Sequence, residues 1–253
     1  MSRSEVQSQY GLEDDWTSIQ ETLVEIIPVY DKTNRYISLG TDLKLRRRGI
    51  ELLLSNFKDR DFVLLDLGCG TGTMTRLLRE RVSQNQTEVV LVDPMLSMMR
   101  VARAKTHEIG PLAVYEHLPF RQESVDAAMA GFSLRDARNL EEALTQINGL
   151  LKKDGKFLIV DLSKPDSPLK IWLITVYWRV LAPVLAFASS GRLGLKFGAL
   201  STTFKRLPTI SQFFALAVSQ GFTIVNAKFS LMGGASVILL SKKSNAEITS
   251  SVS

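Results

Sequence analysis

Cysteine occurs once in the 253 residues, as Cys69, so an intramolecular disulfide is excluded. The two histidines, His107 and His117, stand apart, with no cysteine or acid cluster at ligand spacing around them. No catalytic metal centre is expected from so sparse a set. There is no internal repeat, and the opening MSRSEVQSQYGLEDDW lacks the apolar core of a secretory signal. A cytoplasmic location is therefore expected. A hydrophobic fraction of 45% and a mean hydropathy of +0.06 exclude the disordered classes. What the chain has in modest excess is positive charge, +5 net with a pI near 9.3, which permits contact with nucleic acid or with an anionic membrane and does not choose between them.

The chain is organised around FVLLDLGCGTGTMTRLLR, residues 62–79. Four apolar residues, Phe62 to Leu65, lead into Asp66, and Gly68, Gly70 and Gly72 then alternate with Leu67, Cys69 and Thr71. Met74, Leu77 and Leu78 follow at helical spacing, so the stretch reads as strand, glycine turn and helix. Such a turn lets a ligand approach the main chain, and the free N–H groups of the helix start favour a polar or negative group. The spacing is D-x-G-x-G-x-G rather than the G-x-G-x-x-G of dinucleotide sites, which argues against a nicotinamide-dependent dehydrogenase. A second apolar strand, Glu88 to Val92, ends in Asp93, where an acid can take both hydroxyls of an adenosine ribose. Asp66 beside a methionine ammonium and Asp93 on a ribose together suit S-adenosylmethionine (SAM).

Along the chain, helices are predicted from Thr17 to near Pro28 and over Leu43–Leu54, the latter carrying Lys44, Arg46, Arg47 and Arg48. That basic run reads as a solvated face in preference to a membrane-facing patch. Strands at 88–93, near 112–115, at 125–131 and at 156–161 alternate with helices at 95–106 and 139–151. This rhythm implies a parallel sheet with helices on both faces and a cofactor crevice at the carboxyl ends of the strands. Leu169 to Ala188 breaks it with a strongly apolar run holding Trp172, Tyr177, Trp178 and Phe187. Arg179 and Pro183 speak against a span, leaving an interfacial cap helix or a lid buried on the protein's own core. A helix at 210–218 and strands at 222–229 and 235–240 complete the sheet.

These residues resemble a known family. DLGCGTG at 66–72 and VDPMLSMM at 92–99 are similar to motifs of the class I SAM-dependent methyltransferases. More specific are YDKTNRYIS at 30–38, LPF at 118–120, SVDAAMAGFSLRD at 124–136 and LLKKDGKFLIVDLSKP at 150–165. These resemble the ubiquinone/menaquinone biosynthesis C-methyltransferases (UbiE/MenG type) from about Val29 to Lys242. The resemblance implies an α/β fold: a Rossmann-like sheet of seven strands, mostly parallel with the last antiparallel, helices on both faces and a small helical cap. Residues 17–243 would form the domain, with the cap inserted at about 166–207 and tails at 1–16 and 244–253.

Cofactor contacts implied by position are Asp66, Gly68, Gly70, Thr71 at the methionine end, Asp93 on the ribose, Val114 and Tyr115 beside the adenine, and Gly131 below the sulfonium. Val114 stands where the family carries Asn or Asp, so Tyr115 or Glu116 would have to compensate, and Gly131 stands where it carries Ser. Asp42 and Leu45 replace a His and a Trp. The expected acceptor is a demethylmenaquinone-like isoprenoid hydroquinone, with another lipid or a small molecule, such as a lipid amine, as the alternative. Asp136 would accept or relay a proton, Arg135 would stabilise a phenolate and Tyr30 would be a third contact, against the plainer reading of Arg135 and Asp136 as a loop ion pair. A membrane surface meeting residues 169–188 and a homodimer are the further partners expected, nucleic acid is not, and a non-catalytic SAM-binding subunit is the competing class.

Overall fold

The computed structural model describes residues 16–58 and 60–243, so the tails expected at 1–16 and 244–253 fall outside it except for Trp16. Helices α1 (Trp16–Ile26), α2 (Tyr30–Ile37) and α3 (Thr41–Leu54) precede β1 (Phe62–Leu67). Then follow α4 (Thr73–Arg79), β2 (Thr87–Val92), α5 (Leu96–Thr106), β3 (Val125–Gly131), α6 (Leu140–Leu150) and β4 (Leu151–Leu162). The cap comprises α7 (Pro168–Val176), a wide π-type turn over Tyr177–Leu181, α8 (Ala182–Leu195) and α9 (Ser201–Arg206). Helix α10 (Ile210–Ser219), β5 (Phe222–Ser230) and β6 (Ala235–Lys242) end the domain.

Alternation along β1 explains the layering. Leu64 faces one layer with Ile50, Leu53 and Leu77 from α3 and α4, while Leu65 faces the other with Leu144, Ile147 and Phe157. Both leucines are buried, as a parallel sheet covered on two faces requires. Each contributes about 1.5–3 kcal/mol relative to an exposed leucine. The strand order is β2-β1-β3-β4-β6-β5, with β1 to β4 parallel and β6 antiparallel to both β4 and β5. The order reverses between β1 and β3, which puts a crevice beyond their carboxyl ends.

The sheet has six strands rather than the seven expected. The strand predicted near 112–115 is not formed; a hydrogen bond from Leu91 N–H to the Ile109 carbonyl (3.0 Å) ties this segment to β2. Pro111 offers no N–H to extend a ladder there. The cap satisfies neither sequence reading alone. Its inner side joins Ile26 and Ile37 in a small core through Ala182 and Ala186, and its outer side leaves Trp172, Val180, Val184 and Phe187 exposed. By length and composition alone, Pro168–Gly198 is long and apolar enough to cross a membrane, although its backbone breaks at Ser190 and Gly191.

Candidate active site

The glycine turn is held by the two expected acids. Asp66, the next-to-last residue of β1, is fully buried, and its Oδ2 accepts hydrogen bonds from the Thr75 N–H (3.2 Å) and hydroxyl (2.6 Å) at the start of α4. Its Oδ1 is buried with no partner, and burial pushes the carboxyl up to about 6. Asp93, just past β2, accepts from Gly70 N–H on one oxygen and from Met95 N–H on the other, both at 2.9 Å. Burial raises its carboxyl too, against those two bonds. Gly68 has φ +60°, and a Cβ there would lie 2.5 Å from the Ser133 Cβ, so the turn can pass this close only as glycine.

Beyond these strand ends opens a cleft lined by Gly68, Asp93, Met95, Val114, Glu116 and Asp136 among others. Tyr115 lines it as well, but its hydroxyl turns inward, donating to the Leu67 carbonyl (2.8 Å) beside the Ser133 hydroxyl (2.8 Å). Tyr115 is a strut under the cleft floor. Glu116 uses one oxygen on the Asn139 N–H (2.8 Å), while Oε2 is buried and partnerless. That oxygen can take an amino donor that Val114 cannot. Thr71 donates to Asp31 Oδ1 (2.7 Å), and Lys105 holds Asp31 Oδ2 (2.7 Å), so α2 closes over the turn. Burial alone would raise the Asp31 carboxyl, but the bonds from Lys105 and Thr71 hold it below the usual carboxylate range. The unsatisfied oxygens of Asp66 and Glu116, and Asp93 between them in the chain, fit the ammonium, amino and hydroxyl donors of SAM.

Gly131 does not line this cleft, and neither do Asp66, Gly70 and Thr71, which lie in β1 and the turn after it. A Cβ on Gly131 would meet Met74 Cγ at 2.3 Å and Arg46 Nη1 at 2.4 Å, so the place expected below the sulfonium instead makes room for a guanidinium. The residues of the β3–α6 loop that reach the cleft are Ser133, Asp136 and Ala137.

A second cavity is lined by Tyr30, Arg46, Phe132, Arg135, Tyr177 and Trp178 among others. The Tyr177 hydroxyl donates to the Ile37 carbonyl, locking the cap's wide turn onto α2. Arg135 and Asp136 are neighbours, but the stronger pairing is elsewhere: Arg135 Nη1 lies 2.8 Å from Asp161 Oδ1, and its Nε lies 3.6 Å from Asp136 Oδ1. Burial works against the Arg135 charge, yet Asp136 and Asp161 together keep it firmly protonated. Asp136 faces the cleft rather than the second cavity, and burial, opposed by Arg135 and reinforced by Asp161 and Asp93, pushes it up to about 6. Burial likewise raises the Tyr30 phenol, against Arg135, so it remains a neutral donor.

Arg46 was not anticipated as a site residue. Lys44, Arg47 and Arg48 are exposed as expected, but Arg46 is buried, 8% exposed, with its guanidinium 4.9 Å over the Phe132 ring. Its spacing with Gly49, Ile50 and Leu53 was the available signal, since that is the apolar face of α3. Asp31 was likewise missed, and Asp42, expected only as a departure, is buried and accepts from the Ser38 hydroxyl (2.9 Å).

Comparison with known proteins gives the same picture. The chain is 28% identical over 156 residues to the ubiquinone/menaquinone biosynthesis C-methyltransferase UbiE of Campylobacter jejuni, covering 58% of itself and 66%, just under two thirds, of that protein. It is 29% identical to the demethylmenaquinone methyltransferase of Thermus thermophilus over 79% of itself and 90% of that chain. It is 27% identical to the 2-phytyl-1,4-naphtoquinone methyltransferase of Synechococcus elongatus, with 78% and 85% covered. Among solved structures, a SAM-dependent methyltransferase from Thermotoga maritima, a possible histamine N-methyltransferase, superposes with a TM-score of 0.58 at 18% identity, covering 88% of this chain and all of that one. That likeness speaks to the fold. The family model described as "ubiE/COQ5 methyltransferase family" matches residues 11–243, and the chain belongs to that family.

Proposed function

We propose that the chain is a SAM-dependent C-methyltransferase acting on a ring carbon of a lipophilic hydroquinone of the demethylmenaquinone type. The observation that carries this reading is the loop Phe132–Asp136, which is a partition. Phe132 and Arg135 line the apolar cavity, while Ser133 and Asp136 line the cofactor cleft. A flat aromatic acceptor on one side and a methyl donor on the other would meet across this loop. The relatives named above are described as quinone methyltransferases.

Asp66, Asp93 and Glu116 would hold the cofactor by its donors, with the glycine turn against its methionine end. Bound there, SAM supplies a methyl group already made electrophilic by its sulfonium. The chain's own residues then have only to orient the ring and move protons. Asp136, poised near neutrality, takes the proton of a ring hydroxyl, which makes the adjacent carbon nucleophilic. The new carbon–carbon bond would form at the expense of the cofactor's sulfur–methyl bond. The methylated carbon then sheds its hydrogen as a proton to solvent, and the ring oxygen takes back the Asp136 proton. One proton is released overall. Arg135, anchored by Asp161, fixes the height of Asp136 in the loop, and Tyr30 donates to the ring from α2.

The cap supports a lipophilic acceptor. Between Asp166 and Glu247 the chain carries nine Lys or Arg residues and no Asp or Glu, whereas residues 1–166 carry 22 basic and 25 acidic residues. The exposed Trp172, Val180 and Phe187 lie in that acid-free part. An apolar face in an acid-free, basic setting suits the cytoplasmic face of an anionic bilayer. Tyr177 and Trp178, on the same cap, line the acceptor cavity. The experiment is transfer of labelled methyl from SAM to reduced demethylmenaquinone in vesicles. Product one methyl heavier is expected; label appearing in amine headgroups instead would overturn the quinone reading in favour of a lipid-amine methyltransferase.

A further inference from the structure

We propose that Arg46 holds the ionised ring oxygen of the acceptor, a role that rests on the hydroquinone reading above. By the resemblance, that task would fall to Arg135. Arg135 Nε is buried without a hydrogen bond, but its guanidinium already has carboxylates at ion-pair distance, Asp161 at 2.8 Å and Asp136 at 3.6 Å, so it is committed elsewhere.

Arg46 is differently placed. The acids around it are Asp31, Asp42 and Asp66, with the Tyr30 phenol on the cavity side. Each of those acids is engaged by another donor: Asp31 by Lys105 and Thr71, Asp42 by Ser38, Asp66 by Thr75. No described residue gives the Arg46 guanidinium a hydrogen bond or a carboxylate at ion-pair distance, and its Nε is buried without a partner. A buried cation left uncompensated is costly, and it is retained where something else completes it. The fold also makes room for it. Gly131 leaves the notch that Nη1 occupies, and the Phe132 ring face beneath it favours the cation.

Arg46 shares its cavity with Tyr30, Phe132 and Trp178, so the missing anion belongs to whatever aromatic acceptor enters there. Loss of a ring hydroxyl's proton creates that anion. A guanidinium already desolvated stabilises it without reorganising at the moment of reaction.

The test uses the wild-type chain, Arg46→Gln and Arg46→Lys, each with S-adenosylhomocysteine bound, and 1-naphthol as an inert phenol whose ionised form absorbs distinctly. In the wild type, bound naphthol is expected to ionise about one to three pH units below its free value. Arg46→Gln should lose most of that shift and Arg46→Lys should keep part of it, while calorimetric affinity for S-adenosylhomocysteine and the circular dichroism spectrum stay as in wild type. Equal ionisation in all three proteins would overturn the proposal. So would a loss of S-adenosylhomocysteine affinity in Arg46→Gln with naphthol ionisation unchanged, since Arg46 would then serve the methionine carboxylate. Failure of the wild type to bind S-adenosylhomocysteine would instead remove the methyltransferase reading itself, and this role with it.

Discussion

The cofactor cleft and the acceptor cavity lie side by side across the β3–α6 loop, yet they are built in opposite ways. In the cleft, the acids are fixed by main-chain N–H groups: Asp93 by Gly70 and Met95, Glu116 by Asn139. Their positions follow from where strands end, so a change such as Val114 in place of an amide leaves the frame intact. In the cavity, the polar residues come from α2, α3, the β3–α6 loop and the cap's wide turn, and both arginines are placed by side chains. Arg135 leans on Asp161, Arg46 on a ring, Tyr177 on the end of α2. Backbone-set sites keep their ligand through sequence change; side-chain-set sites change theirs.

The largest expected effect separates the two directly. Asp136 lies on the partition between them, and a proton acceptor placed there would contribute about 10²- to 10⁴-fold to turnover. Asp136→Asn is therefore expected to lower kcat by that order while leaving S-adenosylhomocysteine affinity unchanged, because its carboxylate holds none of the cleft's main-chain N–H groups. With a carboxyl pushed up to about 6, the wild-type rate should fall as pH drops through that value, and the limb should vanish in the variant. Undiminished turnover by Asp136→Asn would dissolve the partition as the place of chemistry.

A smaller effect reports on the cleft alone. Asp66 is harder to ionise in the folded chain than in the unfolded one, its carboxyl rising from 3.8 to about 6. The sign follows: the folded state gains from the protonated form below the unfolded value, and that gain is lost as pH rises through about 6. At pH 7.5 the ligand-free protein carries the whole penalty, so Asp66→Asn should stabilise it by about 1–3 kcal/mol and flatten part of the decline between about pH 4 and 6. Asp136 slopes the same way, so some decline persists. Affinity for SAM should move oppositely, weakening in Asp66→Asn and losing its rise with pH. Urea melts and calorimetry across pH 5 to 8 would show whether the two trends separate as stated.

How much of each site the sequence disclosed follows the same division. Phe62 to Arg79 carries its strand, turn and helix in consecutive residues, and Asp93 closes the next strand, so both were readable from local pattern. The seventh strand failed because apolar residues at 112–114 suggest a ladder that Pro111 cannot extend. Tyr115 is expected beside the adenine, where it or Glu116 would stand in for the missing amide; its inward hydroxyl depends on Leu67 and Ser133, which no local pattern reveals. Arg46 hid inside a basic run whose other three members are solvated. Only the apolar periodicity of α3 distinguished it. Gly131 looked like a lost cofactor contact and is instead the space a guanidinium needs.

The smallest effect belongs to the cap, whose two sides repeat the contrast on one element. Tyr177 and Trp178 face inward to the cavity, while Trp172 is 61% exposed on the preceding turns. If the outer face rests in lipid, Trp172→Ser removes anchoring area and nothing from either site. Affinity for anionic vesicles should then drop by about tenfold, the equivalent of some 1.4 kcal/mol of lost apolar burial. Turnover of a short-tailed, water-soluble hydroquinone should be unchanged. Sedimentation with vesicles and a soluble-acceptor assay would read the two separately. Equal losses in both would mean that Trp172 supports the cavity from behind, and that the cap's outer face and inner face are one structure rather than two.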